Sequence, residues 1–315
     1  MPEIAYNDTN MSTQKRRVLR RGIIAAAAIV LAVIITLCVM YFSHVTIDVL
    51  QPKGTIAAQQ RDLLLFTLGL SVVVVVPVFV MLWLFAWKYR EGNHKARYMP
   101  DWQENKWLEL LWWGIPCAII GILGTIAWQS SHSLDPFRAL DSKVKPLHVQ
   151  VVALQWKWLF IYPDYGIATT NDLRMPVNVP VNFEITSDAP MNSFWIPSLG
   201  GQVYAMSGMS TQLHLMANTA GTYKGSSVNI SGKGYADMAF STQAVTQNDF
   251  DAWVRTVKTT GGQLDQGRYD QLAQPASETA PRYFALADQE LYDSVIMKYM
   301  APSDGHDHVH GAGGA

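Results

Sequence analysis

Thiols are scarce in this chain. Its 315 residues include two cysteines, Cys38 and Cys117, and both sit inside hydrophobic stretches. A disulfide framework is therefore not expected. Residues 130–315 contain no cysteine at all. That excludes a thiolate-bridged dinuclear copper centre there, and a blue-copper site with its single thiolate. Charge is thin as well: Asp, Glu, Lys and Arg make up 16% of the chain, against 49% hydrophobic residues. This is oily for a soluble protein and lean for a many-span transporter. The net charge of -1 hides an asymmetry. Residues 1–129 carry 12 Lys/Arg against 8 Asp/Glu, and residues 130–315 carry 12 against 17. The acidic second half gives nucleic-acid binding no electrostatic support.

Three segments are long and apolar enough to cross a bilayer, which takes about 20 residues. They are Gly22–Ser43, Leu63–Trp87 (Val72 to Val76, interrupted by Pro77) and Trp107–Trp128. Tryptophans at both ends of the third suit the headgroup region. Lys15, Arg16, Arg17, Arg20 and Arg21 precede the first segment, and Lys88, Arg90, Lys95, Arg97 and Lys106 lie between the second and third. Residues 44–62 carry only Lys53 and Arg61. The positive-inside rule then puts the N-terminus and loop 88–106 in the cytoplasm and exports everything after about Gln129. Gly22–Ser43 reads either as a cleaved signal or as a retained helix, and its length and the lack of an A-x-A site favour retention. A third reading is lipoprotein processing at Cys38, which the bulky Leu37 before it disfavours.

The exported part opens with a polar linker, Ser130–Lys145. Short runs of strand character follow: Leu147–Ala153, Trp156–Tyr162, Val181–Thr186, Gln202–Ser207, Thr211–Met216, Gly221–Ile230 and Asp237–Val245. Turn signals such as Pro163-Asp164-Tyr165-Gly166 separate them, which argues a β-sandwich or barrel. Val181 to Ile185 alternates, so one face packs and the other is wet. Helical spacing returns at Asn248–Thr256 and Ala287–Met300, and weakly at Leu264–Leu272, as surface helices on the sandwich. The Gly/His-rich tail 304–315 is expected to be disordered. The organisation expected is a basic arm with a signal or anchor segment (1–43), a transmembrane hairpin (44–129), a β-sandwich (130–246), a helical extension (247–303) and the tail. No internal repeat is present.

Two stretches of the exported part carry a resemblance. One is Asn192-Ser193-Phe194-Trp195-Ile196-Pro197-Ser198-Leu199-Gly200. The other is Ser227-Val228-Asn229-Ile230-Ser231-Gly232-Lys233-Gly234-Tyr235-Ala236-Asp237-Met238. The chain resembles haem–copper oxidase subunit II over most of residues 50–300. The resemblance implies an α+β membrane protein: a transmembrane helical hairpin, an exported cupredoxin-like domain and appended helices. In the cytochrome c-oxidising members a His-Ser-Phe/Trp-x-x-Pro-x-x-Gly stretch and a Cys-Ser-Glu-Ile-Cys-Gly-x-x-His-x-x-Met loop hold a dinuclear copper centre. Here Asn192, Ser227, Ser231 and Tyr235 stand at the His, Cys, Cys and His positions. Asn229 stands at the Glu position between the cysteines, and of the ligands only Met238 remains. Framework positions Ile230, Gly232, Pro197 and Gly200 are kept.

That loss resembles the quinol-oxidising branch, the cytochrome bo type. Further local matches are Pro52-Lys53-Gly54, Phe85-Ala86-Trp87-Lys88-Tyr89-Arg90, Trp156-Lys157-Trp158, Met191-Asn192-Ser193-Phe194, and Tyr204-Ala205-Met206 with Gly208-Met209. The resemblance implies subunit II of a proton-pumping ubiquinol oxidase in a bacterial inner membrane, with its domain in the periplasm. Its partners would be subunit I, further small membrane subunits and lipid, but not cytochrome c. The chain would hold no cofactor; haems, copper and ubiquinol would belong to subunit I. The relatives' lipoprotein cysteine is matched poorly by Cys38.

Glu109 lies about one turn inside the cytoplasmic end of the third segment, where an ionisable group is a functional candidate. The resemblance associates it with the mouth of a proton-uptake channel in subunit I; the plainer alternative is a snorkelling residue paired with Lys106. His44, His94, His132, His148 and His214 show no ligand spacing. His306, His308 and His310 alternate in the tail, where no fold preorganises a site. Met206, Met209 and Met216 read as core fillers before soft copper ligands, and Trp156 and Trp158 as core. Two other functions compete: an electron-transfer subunit of a cytochrome c oxidase, which the missing cysteines oppose, and a membrane-anchored metal-delivery protein using Met and His.

Overall fold

The computed structural model describes residues 36, 47–90, 93, 104–276 and 280–300. The chain divides into two units, Met1–Gln51 and Pro52–Ala315. Of the first, Thr36 and residues 47–51 are described, with a 3-10 turn at Asp48–Leu50. The first hydrophobic segment apart from Thr36, Cys38, His44, His94 and the tail histidines lie outside the described residues.

The second unit opens with two long helices, α1 (Thr55–Lys88) and α2 (Lys106–Ser133). The Val72–Val76 run would favour a strand in water. Both helices are long and apolar enough to cross a membrane, and a segment that does so must satisfy its backbone groups internally, as a helix does. Side chains such as Val73, Leu82, Trp107 and Ile120 are more than 60% exposed on this chain, which suits lipid or a neighbouring subunit. At 1.5 Å per residue α1 is about 51 Å long, well beyond a hydrocarbon core of about 30 Å. It starts eight residues before the expected Leu63. The Asn105 side chain starts α2 by accepting from the N–H groups of Trp107 and Leu108 at 3.1 and 3.2 Å.

The early turns of α1 reach into the domain that follows α2. Its N-cap, Gly54, offers no side chain, and a carbonyl of the domain satisfies an orphan helix donor instead: Ala57 N–H donates to Leu199 O at 3.1 Å. Lys53 N–H donates to Ser198 O at 2.7 Å and Asn218 N–H to Lys53 O at 2.8 Å. Thr55 Oγ1 donates to Asn218 Oδ1 at 3.0 Å. Gly200, at φ +90°, lies so close that a Cβ there would sit 2.7 Å from the Ala57 nitrogen. Two sequence features, Pro52-Lys53-Gly54 and the Pro197-to-Gly200 turn, thus form one seam.

The domain that follows α2 is a two-sheet sandwich. Its elements are β1 (Leu147–Leu154), β2 (Lys157–Tyr162), β3 (Ile167–Thr170), β4 (Asp172–Pro176), β5 (Val181–Ser187), β6 (Asn192–Trp195), β7 (Gln202–Ala205), β8 (Thr211–Leu215), β9 (Gly221–Ser227), β10 (Ala239–Val245), α3 (Gln247–Thr260), β11 (Gly262–Leu264), α4 (Gln266–Ala273), β12 (Arg282–Leu286) and α5 (Leu291–Met300). One sheet runs β11-β12-β3-β2-β1-β5-β8 and the other β4-β10-β9-β6-β7. Between them lie Trp158, Phe160, Phe183, Phe194 and Phe240, with Phe194 stacked on Phe240 at 5.1 Å. The alternation at Val181 to Ile185 holds: residues 181, 183 and 185 are buried and 182 and 184 only partly.

The unbroken apolar runs of β1 and β2 have a separate cause. Trp158, Phe160 and Tyr162 face the sandwich core. Leu159 and Ile161 on the opposite face, with Val152, Leu154 and Ala168, pack against Leu264, Leu272, Phe284, Leu291 and Val295. A strand buried on both faces loses its period-2 signal. The helices expected after Val245 are present, but they bring β11 and β12, which extend the larger sheet. Four more differences have local reasons. Trp156 leaves the strand at φ +66°. The strand from Gly221 ends at Ser227, not Ile230, because residues 228–238 form a loop. The expected Leu264–Leu272 helix starts at Gln266, capped by Asp265, and the Ala287–Met300 helix starts at Leu291. The short strands β3, β4, β6 and β12 escaped the sequence pattern, being four or five residues each.

Candidate functional site

β6 and the end of β9 pair side by side, Phe194 opposite Ser227. This pairing brings Asn192 beside the 227–238 loop. Both Asn192 and Ser227 are buried, at 1% and 5% exposure. Ser227 Oγ lies 3.2 Å from Asn192 Oδ1 and 3.3 Å from Asn229 O, with one proton to donate. The Asn192 amide donates to Pro190 O at 2.7 Å, and the Asn229 amide to Met191 O at 2.7 Å. Ser193 Oγ accepts from Val228 N–H at 3.3 Å. Met238 is buried in the core beneath them, and its carbonyl accepts from Ser227 N–H at 3.1 Å.

Asn192, Ser227, Asn229 and Met238 are therefore brought together. Ser231 and Tyr235 belong to the same loop but not to this network. Ser231 Oγ is buried with no hydrogen-bond partner among the described residues, while its carbonyl accepts from Trp156 Nε1 at 3.3 Å. Tyr235 opens a 3-10 turn, Tyr235–Asp237, and is half-buried. Ile230 is 81% exposed.

Glu109 lies in the first turn of α2, exposed. The ion pairs among the described residues do not include it, so the pairing with Lys106 is not made. Trp158 is in the core as expected, whereas Trp156 is half-buried over the loop. The methionines depart from expectation: Met209 is 52% exposed, because it sits in the β7–β8 turn, and Met206 and Met216 are only half-buried. No three His, Cys, Asp or Glu side chains converge as a metal cluster among the described residues.

One cluster had no sequence signal. Asp188, directly after β5, accepts from Lys298 Nζ at 2.8 Å, Tyr299 Oη at 2.5 Å and Tyr269 Oη at 2.8 Å. Burial pushes its pKa up, but these three donors outweigh burial and hold it below the usual carboxylate range. The partners lie 81 to 111 residues away in sequence, so spacing could not reveal them.

Comparison with known proteins fits this geometry. Residues 166–245 match the family described as "Cytochrome C oxidase subunit II, periplasmic domain", and residues 258–303 match "COX Aromatic Rich Motif". A cytochrome bo(3) ubiquinol oxidase subunit 2 of Pseudomonas aeruginosa is 46% identical over 260 residues, 82% of this chain and 78% of the relative. This chain belongs to the ubiquinol oxidase subunit 2 family. Another member, ubiquinol oxidase subunit 2 of Acetobacter aceti, is 48% identical over 255 residues, 80% of this chain and 83% of its own length. Among solved structures, the periplasmic domain of subunit II of cytochrome oxidase from Bradyrhizobium japonicum is similar at 24% identity. It covers 38% of this chain and 98% of that domain, with a TM-score of 0.36. As a ubiquinol oxidase subunit 2, the chain combines two apolar helices with a cupredoxin-like domain. The aromatic-rich match falls on the segment that supplies α4, β12 and α5, whose Tyr269, Phe284 and Tyr292 cover the outer face of β1 and β2.

Proposed function

We propose that this subunit II serves a proton-pumping ubiquinol oxidase without carrying electrons. Ubiquinol and oxygen become ubiquinone and water in subunit I, which holds the haems and the catalytic copper. This chain packs its hairpin against subunit I in the inner membrane and caps the complex on the periplasmic side, among further small subunits and lipid. The observation that carries the reading is the Asn192–Ser227–Asn229 network. Its donor atoms are amide and hydroxyl oxygens that already hydrogen-bond one another, with a single thioether nearby. A copper centre of this fold needs thiolate and imidazole, and a serine hydroxyl ionises too weakly to substitute. These residues do not fit copper, and no electron path is assigned through them. Their role is to close the top of the sandwich.

The test is oxygen uptake by the purified complex with reduced ubiquinone and with reduced cytochrome c, alongside metal analysis. Expected are activity with quinol alone and a copper content no greater than subunit I's own centre requires. Activity with cytochrome c, or additional copper on this chain, overturns the reading.

Glu109 is placed, in the same reading, at the mouth of a proton path into subunit I. Its support is an ionisable side chain in the first turn of a membrane helix, with no ion-pair partner among the described residues. Glu109→Gln is expected to lower turnover several-fold at unchanged haem content and unchanged quinol KM. Unaltered turnover would leave Glu109 as a surface residue.

A further inference from the structure

Where the hairpin meets the domain there is a chamber of about 380 Å³ between the start of α1, the linker after α2, and β7 and β8. Its charged lining is Asp135, Arg138 and Asp141, with His214 at the back. Below it a groove of about 330 Å³ runs between α1 and α2 over Leu63, Phe66 and Ile126, with Ser130 and Asp62, the latter already ion-paired to Arg61 at 2.7 Å, on its polar side. Gln59, Ser133 and Leu134 line both, so chamber and groove form one slot, polar above and apolar below.

The depth of the slot matches a lipid. Gln59 lies one turn, about 6 Å, before the apolar stretch that starts at Leu63, and Ser133 lies about 7.5 Å beyond Trp128. The polar layer of a bilayer leaflet is about 5–7 Å thick. The chamber is thus level with headgroups and the groove with the first methylenes of the tails.

The charges select the headgroup. Arg138 and Asp141 stand 3.8 Å apart, and both are largely exposed. Asp135 is held in place by accepting from Phe137 N–H at 2.9 Å. His214 donates no charge: burial lowers its pKa, and its Nδ1 lies 2.8 Å from Asn182 Oδ1. One guanidinium beside two carboxylates complements a molecule carrying both a phosphate and an ammonium. An anionic headgroup would meet a lining with one carboxylate in excess of its guanidinium, and a quinone head would leave all three charges unanswered. We propose that this slot holds one zwitterionic phospholipid, a phosphatidylethanolamine, with phosphate against Arg138, ammonium against Asp135 and Asp141, and an acyl chain between α1 and α2. The lipid would wedge the seam between hairpin and domain. The assignment rests on the reading of α1 and α2 as membrane-crossing.

Alkaline carbonate extraction of membranes tests that underlying reading first: release of the chain would overturn it, and the slot with it. With the chain retained, the intact complex is washed in detergent, and its bound lipids and quinone are counted by mass spectrometry. The wild type is compared with the linker double variant R138A/D141A and with the groove-filling Ile126→Trp. Expected is one phosphatidylethanolamine fewer per complex in both variants, at unchanged subunit composition. No difference overturns the slot alone. A difference in phosphatidylglycerol or in quinone overturns the headgroup assignment.

Discussion

Asp188 shows how much a single side chain decides here. It is buried, and it ties α5, through Lys298 and Tyr299, and α4, through Tyr269, to the end of β5. Because its folded pKa lies below the unfolded value, its contribution is complete above the unfolded carboxylate range, near 4. It is lost as pH falls through the folded value. Between pH 5 and 8 the latch is therefore insensitive to pH, and it loosens only under strong acid. Asp188→Asn keeps an acceptor but removes the charge facing Lys298. Lys298 is half-exposed and can rehydrate, so the expected loss is about 1–3 kcal/mol. Faster hydrogen exchange in α5 at neutral pH, and no further acid loosening in the variant, would show it. Asp188 was illegible in the sequence because a carboxylate before a Pro-containing turn looks like any solvated turn residue. The grouping of Asn192 with the 227–238 loop was legible, since those two stretches carried the resemblance. How they hydrogen-bond one another was not.

At the scale of elements, the seam between α1 and the domain is the least forgiving contact. Two carbonyl–amide bonds and the Ala57-to-Leu199 cap cross it, and Gly200 meets the helix backbone with no side chain between. Gly200→Ala puts a Cβ 2.7 Å from a backbone nitrogen and forces a non-glycine residue to φ +90°. Left-handed backbone alone costs about 1–2 kcal/mol, so a destabilisation of at least roughly 2 kcal/mol is expected. A lower melting temperature, with exchange concentrated at residues 54–60 and 198–201, checks this. The apolar runs placed both helices correctly, but the sequence stopped α1 at Leu63, where hydropathy ends. Thr55–Asp62 is polar, and it is helical because it has a domain to lean on. Conversely, the sequence carried Gly221's strand on to Ile230, because β-branched residues continue there. The exposed Ile230 shows that propensity yielding to loop closure.

The whole molecule is held by a larger sheet that is buried on both faces, one against the sandwich core and one against the C-terminal segment. Val152, Leu154, Leu159, Ile161 and Ala168 are at most 1% exposed because α4, α5 and β12 cover them. Ending the chain after Thr246 would bare this face and remove two strands from the sheet edge. The expected result is loss of assembled oxidase, read as the amount of intact complex recovered from membranes. Normal recovery would mean that the sandwich stands without its extension.

The sequence by itself determined the two long apolar helices, because a run of that length and hydropathy is long enough to cross a bilayer and has few other solutions. It determined the sandwich through alternation and turn residues, and the chemistry excluded from residues 130–315, because a missing thiol cannot be supplied by folding. Only the tertiary structure decided that the extension is part of the sheet, that α1 is capped by Leu199, and that Asp188 gathers three donors from the far end of the chain. It also decided that polar linker and apolar helices enclose one slot. These are contacts between segments tens to more than a hundred residues apart. Local pattern carries no record of them, because they depend on which surfaces meet once the chain has folded.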